Sequence, residues 1–358
     1  MQGFFIGTIK KKRSFTTNRE SRLNKFLSGI CSLFVYFISF TVTSMKKFVS
    51  LVVVLALVLL VWFLYRAIQP PELVDRFSGL RIASTIYPLG FVAEHIGGIS
   101  VRVAVLTPPG VEAHEFEPSV QDIAGLYNAD LFLYVGAHFD PWADRLRPEL
   151  EANGVRVISL AESLNLSRIY HRDGEDVTDR DGGSLDPHFW LDPQHLVRAT
   201  SLITQALQSI DPGKQDVYQQ RADEFVASLT VLEDEYRSGL SECTLHDALV
   251  SHDAFGYLGD RFNITFHAVS GLSPESEPTP RTLAELTKLA EDKNIRVVFF
   301  ETLTSPRIAE TIAREIGGMA LMLNPIEGLT SREASVGSTY FTLMNMNLKN
   351  LRTALQCL

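Results

Sequence analysis

The stretch VRVAVLTPPGVEAHEFEPSVQDIAGLYNADLFLYVG (101–136) changes periodicity three times. It opens on an apolar run rich in β-branched residues, VRVAVLT (101–107), and crosses a polar loop, TPPGVEAHEFEPS (107–119). It then takes on helical spacing in EPSVQDIAGLYNA (117–129) and returns to an apolar run, DLFLYVG (130–136). Alternation of short β-rich runs with helical segments reads as an α/β domain with a mainly parallel sheet. The pattern continues outward, with LRIASTIY (80–87) before it, and the helical PWADRLRPELEAN (141–153) and the run VRVISL (155–160) after it.

Further on, PQHLVRATSLITQALQSI (193–210) reads as a helix that Asp211-Pro212-Gly213 breaks. DVYQQRADEFVASLTVLEDEYRSGLSE (216–242) follows without a proline. Its Val217, Phe225, Leu229, Leu232 and Tyr236 fall at helical spacing and predict one long amphipathic helix. The alternation then returns, with strands expected at 247–252, 263–270, 295–301 and 318–325, and helices at 279–294, 305–317 and 337–356. The expected fold is α/β, with two similar lobes of mainly parallel sheet joined by one long rigid helix. A first lobe would occupy 79–211, the linking helix 212–242 and a second lobe 243–358. No repeat is visible in the residues themselves.

The chain of 358 residues has a formal charge of −9, unevenly divided. Residues 1–66 hold ten Lys/Arg and one Glu, so the rest is strongly acidic. An acidic body argues against nucleic acid as a partner and would not repel a cation. FVSLVVVLALVLLVWFLY (48–65) is eighteen residues without a charge and follows Lys46 and Lys47. It is just long enough to span a hydrocarbon core, with the acidic body outside by the positive-inside rule. Residues 45–68 are thus expected to be an uncleaved anchor, a cleaved signal peptide being the alternative. Met45-Lys-Lys reads as the more natural start, which leaves 1–44 as an extension of uncertain role. Of three cysteines, Cys243 and Cys357 lie in the body. A disulfide between them is open to an extracytoplasmic protein, and so are two separate thiols.

Ligands of open α/β sheets bind beyond the carboxyl ends of the strands. The residues there are His114 after 101–107, His252 after 247–251, Glu301 after 295–300 and Asn324 after 318–323. His188 sits in LDPHFWLDP (185–193), the loop that ends the first lobe. Pro187 and Pro193 fix φ on both sides of it. Asp186 or Asp192 could accept its second N–H and set the tautomer, as outer carboxylates do, although Asp192 reads better as a helix cap. Three histidines in one cleft point to a transition metal. Imidazole nitrogen suits zinc, whereas magnesium and calcium ask for oxygen cages. Neither HExxH nor a CxxC pair is present. His95, His246 and His267 read as packing or surface residues, and His138 as packing or a ligand at the cleft entrance.

Five motifs in order, PPGVEAHEFEPSVQD (108–122), DPHFWLDP (186–193), SHDAFGYL (251–258), SGLSPESEPTPRTLAEL (270–286) and FFETLTSPRIAETIAREIG (299–317), make the body resemble a known family. It is the periplasmic or extracellular metal-binding proteins of zinc and manganese ABC transporters, the cluster A-I solute-binding family. The resemblance implies metal ligands at His114, His188 and His252. Manganese-selective members tend to carry glutamate at the third position, so His252 leans to Zn²⁺ over Mn²⁺. The family's fourth ligand is usually an aspartate in LDPLG. Here the stretch is LNPIEG (323–328), which makes Asn324 the expected fourth ligand. Its carbonyl oxygen brings no charge, so Glu301, Glu327 or Glu115 would compensate, or water would fill the position. Weaker, more exchangeable zinc than in an aspartate site is the expectation. The acidic segment 169–186 replaces the His-rich loop of many zinc members and holds only His171. A family disulfide often uses a C-terminal cysteine, and Cys357 fits, but the usual partner position holds Arg296 and Val297. Any bond to Cys243 would be atypical.

The expected function is extracytoplasmic capture of zinc and its delivery to an ABC permease, by a monomer that does no chemistry on the metal. The alternatives are a zinc hydrolase with a His₃ site and a surface adhesin in which metal is structural.

Overall fold

The computed structural model describes residues 44–68, 77–166, 185–274 and 278–358. Residues 1–43 and His171 lie outside them. The chain divides into two compact units, Met1–Phe77 and Ser78–Leu358. In the first, helix α1 (Ser44–Ile68) carries the charge-free run. Its described side chains, 49–65, are apolar and largely exposed. Among the described residues no helix is long and apolar enough to cross a membrane.

The second unit holds two four-stranded sheets, each parallel throughout. The first lobe runs β1 (Leu80–Ser84), α2 (Tyr87–Gly97), β2 (Val101–Val105), α3 (Val120–Leu126), β3 (Leu131–Tyr134), α4 (Pro141–Ala152), β4 (Arg156–Ser159) and α5 (Leu160–Ser163). Helix α6 (Pro193–Ile210) and the long α7 (Gln215–Gly239) follow. The second lobe runs β5 (Asp247–Val250), α8 (Gly256–Phe262), β6 (Thr265–Ala268), α9 (Pro280–Asp292), β7 (Val297–Phe300), α10 (Arg307–Glu315), β8 (Met319–Met322), α11 (Ser331–Ser335) and α12 (Tyr340–Ala354). The strand orders are β2-β1-β3-β4 and β6-β5-β7-β8, the same winding twice. Each order reverses direction once, between β1 and β3 and between β5 and β7. There the loops part and leave a crevice at the strands' carboxyl ends.

Local chemistry explains where the helices begin. Ser119 and Asp122 form a reciprocal capping box at α3. Asp192 caps α6, with Pro193 at its first turn, and Thr279 caps α9 ahead of Pro280. The long helix buries Tyr218, Ala222, Phe225, Leu229, Leu232 and Tyr236, a seam with spacings of three and four. The expected Val217 is off that seam and exposed; Tyr218 takes its place because it falls in phase with Ala222 and Phe225. Helix α7 packs on α2, α6 and α12, so it rests on the first lobe and reaches the last helix of the second.

The chain's end is stapled to the start of the second lobe. Cys243 and Cys357 are disulfide-bonded and pair as an antiparallel bridge. Leu245 N–H donates to Leu355 O at 3.0 Å and Leu358 N–H to Glu242 O at 3.0 Å. The sequence separation of 114 between the two cysteines puts this pairing beyond the reach of local pattern.

Candidate metal centre

Four side-chain groups from both lobes meet at the crevice: His114, His188, His252 and Glu327. His114 comes from the loop after β2, and His188 from the turn before α6. His252 follows β5, and Glu327 lies in the loop after β8. Nε2 of His188 is 3.3 Å from Nε2 of His114 and 3.4 Å from Nε2 of His252. One carboxylate oxygen of Glu327 lies 3.5 Å from His114 Nε2, 3.4 Å from His188 Nε2 and 3.6 Å from His252 Nε2. His188 and His252 are wholly buried, Glu327 nearly so, and His114 sits at the rim.

The other ring nitrogens explain why these atoms converge. His188 Nδ1 is 2.9 Å from Asp186 Oδ1, which also accepts the His188 backbone N–H at 3.0 Å. His252 Nδ1 is 2.7 Å from Glu301 Oε1, which accepts from Ser251 Oγ as well. A carboxylate accepts only, so each Nδ1 is assigned the hydrogen and each Nε2 lone pair faces the crevice. Two such lone pairs a little over 3 Å apart repel unless something positive lies between them. The buried Glu327 Oε1 has no normal hydrogen-bond partner, an arrangement that costs free energy unless a cation or proton satisfies it.

The charges are accordingly linked. Burial pulls the His188 pKa down, but the bond its Nδ1–H donates to Asp186 and the nearby Glu327 carboxylate outweigh it and hold the ring above the ordinary histidine value. His252 is held well above that value, burial being outweighed by the charge and hydrogen bond of Glu301 and then by Glu327. Burial would raise the Glu327 carboxyl, yet the charge of His114 and the close approach of all three imidazoles hold it well below the usual carboxylate range.

His114 is supported differently. Its ring lies 4.3 Å, centroid to centroid, from Phe139, which also meets His188 at 6.2 Å and Trp190 at 5.7 Å. Phe139 is presented by a tight turn in which Gly136, Ala137 and His138 all have positive φ, at 79°, 52° and 64°. Two non-glycine residues in succession there are uncommon. Asp140 holds the turn, its two oxygens each accepting a backbone N–H at 2.8 Å, from Val135 and Gly136. Burial pushes its carboxyl up to about 6.

The structure places the remaining expected residues as follows. Asn324 does not offer a free carbonyl oxygen, since Oδ1 accepts the Ile326 N–H at 2.8 Å and Nδ2 donates to Glu333 at 3.1 Å. Glu327, expected as a candidate metal ligand or as charge compensation, lies in the cluster with the three histidines. Glu301 acts behind His252, a carboxylate the sequence placed in the crevice without its partner. Glu115 is exposed, and its N–H donates to Glu112 Oε2 at 3.1 Å. Asp186 stands behind His188, its Oδ1 at Nδ1. Asp192 does not: it receives Gln194 N, His195 Nδ1 and Arg261, and caps α6. His138 is exposed and outside the cluster. His95 packs on Phe91 and Phe225, and His267 pairs with Asp247 at 2.8 Å.

The family model for the periplasmic zinc-uptake complex component A, ZnuA, matches residues 82–354. The high-affinity zinc uptake system protein ZnuA of Bacillus subtilis is 29% identical over 313 residues, 87% of this chain and 98% of that protein. The zinc-binding lipoprotein AdcA of Streptococcus pneumoniae is 31% identical over 276 residues, 76% of this chain, and the chain spans about half of it, 55%. Among solved structures, the laminin-binding adhesin Lmb of Streptococcus agalactiae superposes with a TM-score of 0.68 at 30% identity, covering 77% of this chain and 100% of its own. The Zn(II)-bound ZnuA-like domain of Streptococcus pneumoniae AdcA gives 0.65 at 29% identity, covering 78% and 99%.

Proposed function

The chain belongs to the family of periplasmic zinc-uptake components, and from that membership we propose that it captures Zn²⁺ outside the cytoplasm and hands it to an ABC permease. The cargo is held by His114, His188 and His252 through Nε2 and by one oxygen of Glu327. The observation that carries this is a set of distances. Zinc bonds of 2.0–2.2 Å to nitrogen and oxygen imply about 3.3–3.6 Å between neighbouring ligand atoms of a tetrahedron. Five of the six separations run from 3.3 to 3.6 Å, and all four atoms lie within 4.8 Å of one another. Three nitrogens and a single carboxylate suit zinc better than manganese, which favours more oxygen. With Glu327 bound and Asp186 and Glu301 behind, three carboxylates offset the ion's two charges.

All four positions are taken by protein, which suits holding a metal; a catalytic zinc keeps one position open. His114 and His188 come from one lobe, His252 and Glu327 from the other, so release requires the lobes or the rim to yield. The eighteen apolar residues after Lys46 and Lys47 support N-terminal attachment of the body to the outer face of the membrane, and we take that body to act as a monomer.

Metal-free protein titrated with zinc and with manganese against a chromophoric chelator tests the site. Zinc should bind more tightly, and His188→Ala should abolish this. Equal affinity for the two metals would end the zinc reading. A deletion strain in chelated medium should show a growth defect that added zinc repairs, and fractionation of cells should find the chain with the membrane.

A further inference from the structure

The loop that carries Glu327 is bonded on every side. Pro325 O accepts the Trp190 indole N–H at 2.8 Å, Glu327 O accepts the Tyr87 N–H at 3.1 Å, and Leu329 O accepts the Gly110 N–H at 2.7 Å. These three bonds come from the first lobe. From the second, Asn347 on α12 grips Asn324 by its backbone: Asn324 N–H donates to Asn347 Oδ1 at 2.8 Å, and Asn347 Nδ2 donates to Asn324 O at 2.7 Å. The Asn324 side chain then closes a turn over Pro325 by accepting the Ile326 N–H at 2.8 Å. Ile326 is fully buried with φ of 58°. A β-branched residue is held in that region only where the surroundings impose it. The free end of the amide, Nδ2, donates to Glu333 Oε1 at 3.1 Å. The other oxygen of Glu333 accepts the Thr330 N–H at 2.7 Å and so caps α11.

We propose that Asn324 is a positioning residue: its amide forces the left-handed turn at Ile326 that swings Glu327 toward the three imidazoles, and Glu333 locks the amide in place. This rests on the reading of Glu327 as a zinc ligand. It reverses what charge alone suggests for this position. An aspartate in place of Asn324 would add a negative charge close to the cation and by Coulomb attraction should tighten binding. It would keep the oxygen that accepts from Ile326, but its second oxygen would face the Glu333 carboxylate at the distance where Nδ2 now donates. Two carboxylates that close do not both stay ionised and in place. Keeping both in place takes a proton, which costs free energy near neutral pH; otherwise Glu333 leaves, and α11 loses its cap, or the turn opens and Glu327 turns away. Asparagine is the side chain that offers an acceptor to Ile326 and a donor to Glu333 together.

Zinc affinity of the full chain, by chelator competition, tests this in four variants. Asn324→Asp should weaken zinc by about tenfold or more, the range of a lost outer partner. Asn324→Asp combined with Glu333→Gln restores a donor facing an acceptor, since the introduced amide donates to the introduced carboxylate and its oxygen still accepts from Thr330. That pair should return to within about threefold of the parent, a recovery of most of the loss. Glu333→Gln alone should bind less well than the parent, because its amide cannot satisfy both neighbours. Equal or tighter binding in Asn324→Asp, or a double variant no better than that single one, overturns the inference even where the single variant folds poorly. Glu327→Gln, measured alongside, separates the two readings. If it keeps the parent's affinity, Glu327 is no ligand and both fall. If it loses zinc while Asn324→Asp does not, the ligand stands and only the positioning role is lost.

Discussion

The two sides of the metal centre are built on different principles. His188 and His252 are wholly buried, and each has a carboxylate at Nδ1, Asp186 at 2.9 Å and Glu301 at 2.7 Å. His114 stands at the rim against the ring of Phe139. A carboxylate sets tautomer, orientation and charge together, whereas an aromatic face limits only where a ring can lie. The carboxylate-backed pair is therefore held more tightly, and if the site takes zinc as proposed, the aromatic-backed histidine is the one expected to give way on entry and release.

The largest effect should come from cutting into the fixed pair. His188→Ala and His252→Ala should each lower zinc affinity by more than about a hundredfold, beyond the usual cost of an outer-partner change. His114→Ala should lose less than either, since water reaches the rim and can take the vacated position. Equal losses in a chelator titration of all three variants would erase the distinction between the two sides.

Next come the carboxylates. Asp186→Asn and Glu301→Gln should each cost about 10–100-fold in zinc affinity with the four ligand groups intact. Either variant binding like the parent would mean that burial alone orients the ring.

The pH response sharpens the comparison further. In the metal-free protein His188 and His252 have raised pKa values. The stability they contribute is fully present below the unfolded value of about 6.5 and is lost as pH rises through the folded values. Glu327 has a lowered pKa. Its contribution is present above an unfolded value of about 4.3 and is lost as pH falls through the folded one. Metal-free protein should thus be favoured between these limits. The rise in melting temperature that zinc brings should grow from about pH 6 to about pH 8, because the ligands must shed protons first. Thermal unfolding with chelator and with zinc across that range checks the sign, and a zinc effect that shrinks with rising pH would contradict the assigned charges.

The smallest effect is expected at the rim. Phe139→Leu keeps an apolar contact but not the flat ring, and should speed zinc release by a few-fold, under about 1.4 kcal/mol in barrier. Stopped-flow chelation measures it, and a larger change would show that Phe139 holds His114 as firmly as the carboxylates hold the other two rings.

Much of this was legible in the chain. Eight apolar runs marked the eight strands because parallel strands covered on both faces need continuous β-rich stretches. His114 and His252 stood out by their place after strand ends, His188 by the loop that ends the first lobe, and the family resemblance implied all three together. Choosing among neighbouring polar residues was not possible by pattern. Asp186 and Asp192 flank His188 in nearly the same local setting, yet one orients the ring and the other caps a helix and pairs with Arg261. Asn324 and Glu327 are three residues apart in one loop. Which of them faces the imidazoles depends on Asn347 and Trp190, which lie far off in sequence.

What the sequence determined by itself is the alternation of elements, the acidic body behind a basic, apolar N-terminal segment, and three imidazoles at the ends of the right connections. Those follow from periodicity, charge and chain order, which are local properties. What only the tertiary structure decided is which carboxylate stands where. Glu327 is the group that joins the imidazoles, Glu301 backs His252, and Cys243 meets Cys357. Each depends on where distant segments come to rest against one another, and a loop's hydrogen bonds are settled by those neighbours and not by its own residues.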